Sequence, residues 1–247
     1  MSGRLYGVGV GPGDPELLTV KAIKTITKCD VLAVPVSDRG WTEVVYEAAG
    51  ECRYPDLLKG CAAYKIVSPV VPEISYKAKL YLPMPMIKDK ERLKAIHDTC
   101  ACRVAELLDK GNDIAFITLG DPTVYSTCLY IHKRIQRKGY ETALVPGVTS
   151  FCAAAAKMDR GLVENSGQLH VIPGSYEIEE SLKLAGTKVL MKAGSKMPVV
   201  KGAIRKSGGD IIMVENCGME GESIYHGVEN IPDDAGYYSL IIIKEED

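Results

Sequence analysis

The sequence contains no Cys-x-x-Cys pair, no long tail of one charge sign and no apolar stretch long enough to cross a membrane. Its eight cysteines lie scattered at positions 29, 52, 61, 100, 102, 128, 152 and 217, mostly inside apolar patterns. The nearest approach to a metal cluster is His97, Cys100 and Cys102, and helical spacing turns Cys102 away from the other two. Reduced thiols acting as small core residues, with no metal bound, are therefore expected. The longest uncharged run, 142–156, is broken by Pro146 and Gly147 and falls short of the roughly 20 apolar residues a spanning helix needs. No membrane partner is expected, and a formal charge of −2 offers no basic surface for nucleic acid. Met1 to Leu5 leads straight into a strand pattern without the features of a signal peptide, so a cytoplasmic location is expected.

What is present is an ordinary globular composition, 46% hydrophobic and 25% charged, in 247 residues. That length suits two domains or one long one. Strand and helix patterns alternate along it. Strands are expected in a short segment that opens at Leu5 and breaks into a turn, and at 30–35, 114–119, 142–145, 169–172, 188–192, 211–215 and 238–243. Helices are expected at 15–28, 41–50, 88–110, 123–137, through 156, 177–185 and 198–206. The segment 52–69 reads as loop or partly helical. The proline-dense segments 67–72 and 81–86 read as extended, with any strand confined to a sheet edge. The first strand, helix and second strand suggest one right-handed βαβ unit. This alternation predicts two α/β domains, 1–120 and 121–247, with a ligand cleft between them.

The turn Leu119-Gly120-Asp121-Pro122 stands at the carboxyl end of an expected buried strand, where open α/β sheets place their ligands. Asp121 and Pro122 also read as the N-cap and first position of the helix that follows. The first turn is glycine-rich, Gly7-Val8-Gly9-Val10-Gly11-Pro12-Gly13-Asp14-Pro15, yet it fails the dinucleotide fingerprint. Counted from Gly7 and Gly9 the third glycine position is Pro12, and counted from Gly9 and Gly11 it is Asp14. Proline has no N–H for a pyrophosphate and aspartate repels one. No Lys-Ser or Lys-Thr closes the loop in the Walker manner. Such a turn suits an uncharged or cationic ligand, which counts against a nucleotide-dependent oxidoreductase.

Four stretches taken together are more specific: residues 7–15, Leu119-Gly120-Asp121-Pro122-x-x-Tyr125-Ser126, Val145-Pro146-Gly147-Val148-Thr149-Ser150, and Val214-Glu215-Asn216. In order and spacing they resemble the tetrapyrrole methylase family, over essentially the whole chain. Leu82-Pro83-Met84-Pro85-Met86-Ile87-Lys88-Asp89, Tyr130-Ile131-His132-Lys133-Arg134 and Met191-Lys192-Ala193-Gly194 are most similar to members acting on C20 of precorrin-2 or cobalt-precorrin-2.

The resemblance implies a homodimer of two-domain α/β subunits. It further implies an S-adenosylmethionine-dependent C-methyltransferase of cobalamin biosynthesis, releasing S-adenosylhomocysteine, with a tetrapyrrole as substrate. The alternative within the family is action at another ring carbon or on a later corrinoid intermediate. Relatives of the same fold that methylate diphthine or ribosomal RNA are a further rival, and for the RNA enzymes the net charge speaks against it. By matching positions, the resemblance implies cofactor contacts at Pro12, Leu119, Gly120, Asp121, Val124, Tyr125, Thr149 and Ser150, with Lys192 or Ala193 and Cys217 against the adenosine. At 192 and 217 many relatives carry an apolar residue and a glycine, so Cys217 is expected to contact through its backbone. A ring carbon activated by conjugation needs no protein nucleophile. Asp121 is the candidate catalytic residue, in an electrostatic or proton-accepting role. Arg39, Lys88 and Lys90 are candidates for the substrate's carboxylate arms.

Overall fold

The computed structural model describes residues 2–174 and 178–245. Their contacts divide the chain into two compact units, Met1–Thr149 and Ser150–Asp247.

In the first unit, strands β1 (Leu5–Gly9), β2 (Val31–Val36), β3 (Val45–Glu47), β4 (Ala78–Pro83), β5 (Ile114–Thr118) and β6 (Thr142–Val145) form one sheet in the order β3-β4-β2-β5-β1-β6. All neighbours are parallel except β3, which runs antiparallel to β4. Every residue of β4 and β5 is buried, and such two-sided burial is why these strands read as unbroken apolar runs. Helix α1 (Val20–Lys28) and the short helices α2 (Pro55–Gly60) and α3 (Ala62–Val67) cover one face, packing on Val8, Leu32, Val34, Ala115 and Ile117. Helices α4 (Lys90–Asp109) and α5 (Cys128–Arg137) cover the other, on Leu5, Val31, Leu80, Ile114 and Phe116.

This order locates a ligand site. From β1 the chain crosses β5 on one face to reach β2, whereas from β5 it crosses β1 on the opposite face to reach β6. Adjacent parallel strands whose connections leave in opposite directions open a crevice beyond their carboxyl ends.

The second unit holds α6 (Ser150–Lys157), β7 (Leu169–Pro173), α7 (Glu179–Leu182), β8 (Thr187–Met191), α8 (Met197–Ser207), β9 (Asp210–Glu215), β10 (Ser223–His226) and β11 (Ser239–Lys244). Its sheet order is β10-β9-β11-β8-β7. β7 and β8 are parallel, and β11 is antiparallel to both β8 and β9. The carboxyl ends of β7, β8 and β9 therefore share one sheet edge with the segment entering β11.

Several expectations need correction. The chain divides after Thr149 rather than after Gly120, because β6 pairs with β1 over four registers and α5 packs into the first unit's core. The βαβ unit exists, but β5 separates β1 from β2. The helix expected at 15–28 is a 3-10 turn, Pro15–Leu17, followed by α1, with Asp14 and Thr19 each accepting from a backbone N–H as separate caps. The helix expected at 41–50 is instead β3. On that strand Glu47, fully buried, accepts from the Tyr81 hydroxyl at 2.9 Å and from the Arg53 N–H, and a buried phenol needs such a partner. β4 is an interior strand rather than an edge, with Pro83 at its last position. The segment 67–72 turns rather than extends, since α3 runs to Val67 and Pro72 opens a 3-10 turn. The helix expected over 177–185 is a single turn, α7, and Glu177 lies outside the described residues. The strand β10 had no counterpart in the expectations.

Candidate active site

Three loops meet beyond the carboxyl ends of β1, β5 and β6. The first and second are joined by a two-residue antiparallel bridge, in which the Gly120 N–H donates to the Gly11 carbonyl at 2.7 Å and the Gly11 N–H to the Gly120 carbonyl at 3.3 Å. Glycine is required where they approach. A Cβ on Gly147 would lie 2.2 Å from the Gly120 carbonyl oxygen, and one on Gly9 would lie 2.6 Å from that oxygen and 2.7 Å from the Gly147 nitrogen. Backbone packed against backbone leaves no room for a side chain.

Asp121 ties the second loop to the third. It is 7% exposed; its Oδ1 accepts from the Thr123 N–H at 2.8 Å and from the Thr123 hydroxyl, and its Oδ2 accepts from the Gly147 N–H at 2.9 Å. The expected helix over 123–137 begins only at Cys128. Its place is taken by a turn pinned at both ends, by Asp121 and by Ser126, whose hydroxyl pairs with Thr118 Oγ1 at 2.8 Å and accepts from the Cys128 N–H at 3.2 Å. Asp121 is thus a loop tie and not an N-cap. Between the pins Tyr125 is held at φ 48°, a left-handed conformation rare for a bulky residue, with its side chain 43% exposed.

The remaining candidates of the first unit fall into place around these loops. Pro12 is buried one residue beyond the Gly11–Gly120 bridge, while Leu119 and Val124 are half-buried. Gly120 stands at φ 68° with open space where a Cβ would project. Thr149 has a buried hydroxyl oxygen without a hydrogen-bond partner. Arg39, Lys88 and Lys90 are exposed; Arg39 follows the carboxyl end of β2, Lys88 follows that of β4, and Lys90 opens α4 behind its N-cap Asp89.

Ser150 opens α6 in the second unit. Also in that unit, Lys192 and the buried Ala193 follow β8, and the half-buried Cys217 lies two residues beyond β9. Asn216, between β9 and Cys217, donates its N–H to the Tyr238 carbonyl at 3.2 Å, which holds that turn against the entry to β11.

Chemically, the three loops of the first unit offer backbone groups, one orphaned hydroxyl and two carboxylates, Asp14 and Asp121, and no lysine or arginine occurs in 9–15, 119–127 or 146–150. This donor set suits a neutral or cationic ligand, and a buried hydroxyl without a partner is a hydrogen bond waiting for one. The residues present fit S-adenosylmethionine in this respect. Among the described residues no group of three or more His, Cys, Asp or Glu could hold a metal ion. Gly9, Gly147 and Ser126 carry no role legible from the sequence, and Thr123 reads there only as a helix start. Their signal was the glycine and hydroxyl residues flanking each turn, which acquire meaning only once the loops are known to touch.

The model of the Tetrapyrrole (Corrin/Porphyrin) Methylases matches residues 4–231, and the chain belongs to this family. Among its relatives is a probable cobalt-precorrin-2 C(20)-methyltransferase of Methanocaldococcus jannaschii, 33% identical, with 98% of this chain and 96% of that protein aligned. The precorrin-2 C(20)-methyltransferase of a Sinorhizobium species is 32% identical over 98% of this chain and 95% of its own length. Among solved structures, uroporphyrin-III C-methyltransferase from Thermus thermophilus complexed with S-adenosylhomocysteine superposes with a TM-score of 0.65 at 20% identity, covering 98% of each chain. The likeness to that structure is one of fold.

Proposed function

We propose that this chain is an S-adenosylmethionine-dependent methyltransferase acting on C20 of precorrin-2 or its cobalt form in cobalamin biosynthesis. The observation that carries the reading is end-to-end similarity, at 32–33% identity, to relatives named for that reaction. The loop chemistry agrees with it, since a sulfonium cofactor calls for no phosphate cradle. When bound, the cofactor supplies an electrophilic methyl group.

The chain's own residues have the tasks of binding, orientation and exclusion of water. In the first unit the proposed cofactor contacts are the backbone at Pro12, Leu119 and Gly120, the side chains of Val124 and Tyr125, and the Thr149 hydroxyl. Ser150, and Lys192, Ala193 and Cys217 through their backbones, are those proposed for the second. Asp121 is proposed to act as a fixed negative charge. With both oxygens already accepting hydrogen bonds within the fold, it is better placed to orient loops and balance a cation than to take up a proton. Arg39, Lys88 and Lys90 remain the proposed partners of substrate carboxylates. The working form proposed is a cytoplasmic homodimer. No helix among the described residues is long and apolar enough to cross a membrane.

The test is incubation of the purified protein with methyl-labelled S-adenosylmethionine and precorrin-2, with and without cobalt. Product mass and NMR would then identify the methylated carbon. One methyl added at C20 is expected. No transfer to either substrate, or a methyl at another carbon, would refute the assignment, and in the second case would support the alternative of a different ring position.

A further inference from the structure

Among the described methionines Met86 alone is exposed, at 48%. The chain leading to it is covered, since every residue of β4 is buried and so are Met84 and Pro85. Nor is Met86 on a loose end. The Met84 N–H donates to the Val36 carbonyl at the end of β2 at 2.7 Å, and the Ile87 N–H donates to the Pro85 carbonyl at 3.1 Å. Three residues further on, Asp89 caps α4 by accepting from the Arg92 N–H at 3.0 Å. Pro83 and Pro85 fix their own φ and restrict the residue before each. The backbone therefore holds a tight three-residue turn with Met86 at its tip.

This turn leaves the sheet on the edge where the ligand loops lie, because β4, β2, β5 and β1 all run parallel. In the order β4-β2-β5 the ends of β4 and β5 are two strand spacings apart, roughly 10 Å. Exposed Arg39 follows β2, the strand between them, and exposed Lys88 lies two residues beyond Met86. The acidic neighbours Asp38 and Asp89 each accept a backbone N–H, from Gly40 at 2.7 Å and from Arg92. A lone exposed apolar residue is ordinary on a protein surface. One that a fixed turn holds at a ligand edge, with cations on the same loop and on the next, is a contact lacking its apolar partner.

We propose that Met86 is a substrate-contacting residue, its thioether packing on the face of the tetrapyrrole while Arg39 and Lys88 meet the carboxylate arms. The assignment rests on the tetrapyrrole reading above and deepens it. The macrocycle has a broad apolar face inside a rim of carboxylates, which matches an apolar tip flanked by cations. An unbranched, polarizable side chain adapts its shape to such a face. The cofactor contacts proposed above lie on other loops, so Met86 serves the second ligand alone.

The test uses the full chain saturated with S-adenosylhomocysteine, into which an octacarboxylate porphyrin is titrated and followed by its absorbance. Covering the exposed half of a methionine is favourable enough that Met86→Ala should weaken porphyrin binding about three- to tenfold. Met86→Leu, of similar size, should restore most of the affinity. The dissociation constant for S-adenosylhomocysteine should be that of the wild type in both. The loss in Met86→Ala should persist at high salt, whereas the loss in Lys88→Met should shrink there, because screening acts on charge pairs and not on apolar contact.

A footprint reads the same contact directly. Hydrogen peroxide, applied in the dark, converts an exposed thioether to the sulfoxide, and peptide mass spectrometry should show Met86 protected by bound porphyrin but not by S-adenosylhomocysteine alone. Equal porphyrin affinity in Met86→Ala and wild type, a matching loss of S-adenosylhomocysteine affinity, oxidation of Met86 at one rate with and without porphyrin, or no porphyrin binding by the wild type would each overturn the proposal. Failure of the wild type to methylate precorrin-2 would count against the reaction assigned above, while the titration and the footprint still decide the contact.

Discussion

Replacing Asp121 by asparagine tests the loop tie most directly. The carboxylate has two acceptors and satisfies two backbone donors, Thr123 N–H and Gly147 N–H, together with the Thr123 hydroxyl. An amide has one acceptor and one donor end. With its oxygen toward Thr123, the amide nitrogen confronts the Gly147 N–H; flipped, it confronts the Thr123 N–H. Either orientation leaves one backbone donor facing another donor in a site only 7% exposed. A buried unsatisfied donor costs about 1–3 kcal/mol, and the lost charge assistance moves the expectation to the upper part of that range, about 2–3 kcal/mol.

The assay is urea unfolding read through Trp41, the sole tryptophan, which packs against the first unit's core and so reports on that unit. With a slope of about 1–3 kcal/mol per molar urea, the midpoint should fall by roughly 1 M. S-Adenosylhomocysteine affinity should fall with it, because the loops that would hold the cofactor are the ones released. An Asp121→Asn protein with the midpoint of the wild type would refute the tie. Full affinity and full rate in addition would remove Asp121 from the mechanism altogether.

Other expectations follow from the same geometry. Gly147→Ala should abolish S-adenosylhomocysteine binding measured by calorimetry, since its Cβ would fall 2.2 Å from the Gly120 carbonyl, whereas Gly139→Ala, with open space at its Cβ, should cost only its left-handed backbone strain, about 1–2 kcal/mol, and keep binding. Burial lowers the pKa of His97 and His132 below the ordinary imidazole value of about 6.5, in His97 with help from Arg134 and in His132 from Lys133. In this range the unfolded chain takes up these protons first, so their contribution to stability is complete above about pH 6.5 and declines as pH falls toward the depressed folded values. A stability–pH curve from unfolding midpoints should show this decline, and the double variant His97→Gln, His132→Gln should lack it. A second acid step follows below about pH 4.5, where Asp98, held down by Arg134, and Glu222, held down by the Gly218 N–H and Lys157, become protonated. Burial pushes the thiols of Cys29, Cys100 and Cys128 up to about 12 and that of Cys61 to about 11. Alkylation with iodoacetamide at pH 8 should therefore label exposed Cys52, Cys102 and Cys152 first, with mass spectrometry as the readout.

The strands with the plainest sequence signals were also those buried on both faces. Ile114 to Thr118 could be read because nothing but an interior parallel strand explains such a run beside a turn. The loops were legible as ligand-binding for the same reason that they fail as phosphate cradles, namely Pro12 and Asp14. What escaped was set by partners distant in sequence. Nothing local to Trp41–Gly50 announces a strand, because its cause is the Tyr81 hydroxyl needing Glu47 from across the sheet. The helix expected to start at 123 begins at 128, because Asp121 holds Thr123 in a turn with one oxygen while the other ties Gly147, 26 residues away. The boundary at 120 was misplaced for a related reason, since β6 returns to β1, and pairing between strands this far apart leaves no mark in either segment.

The position of β1 between β5 and β6 also has a meaning for how the protein is made. β1 is synthesised before both of its sheet neighbours, residues 114–118 and 142–145. Until the ribosome has delivered them, the first strand has two open edges, an arrangement prone to wrong pairing. The crevice is therefore the last part of the first unit to become possible. A chain cut short before residue 142 would carry the glycine-rich turn and the Asp121 turn but not the Gly147 donor that joins them. Ligand binding by this unit thus reports that its sheet has been completed.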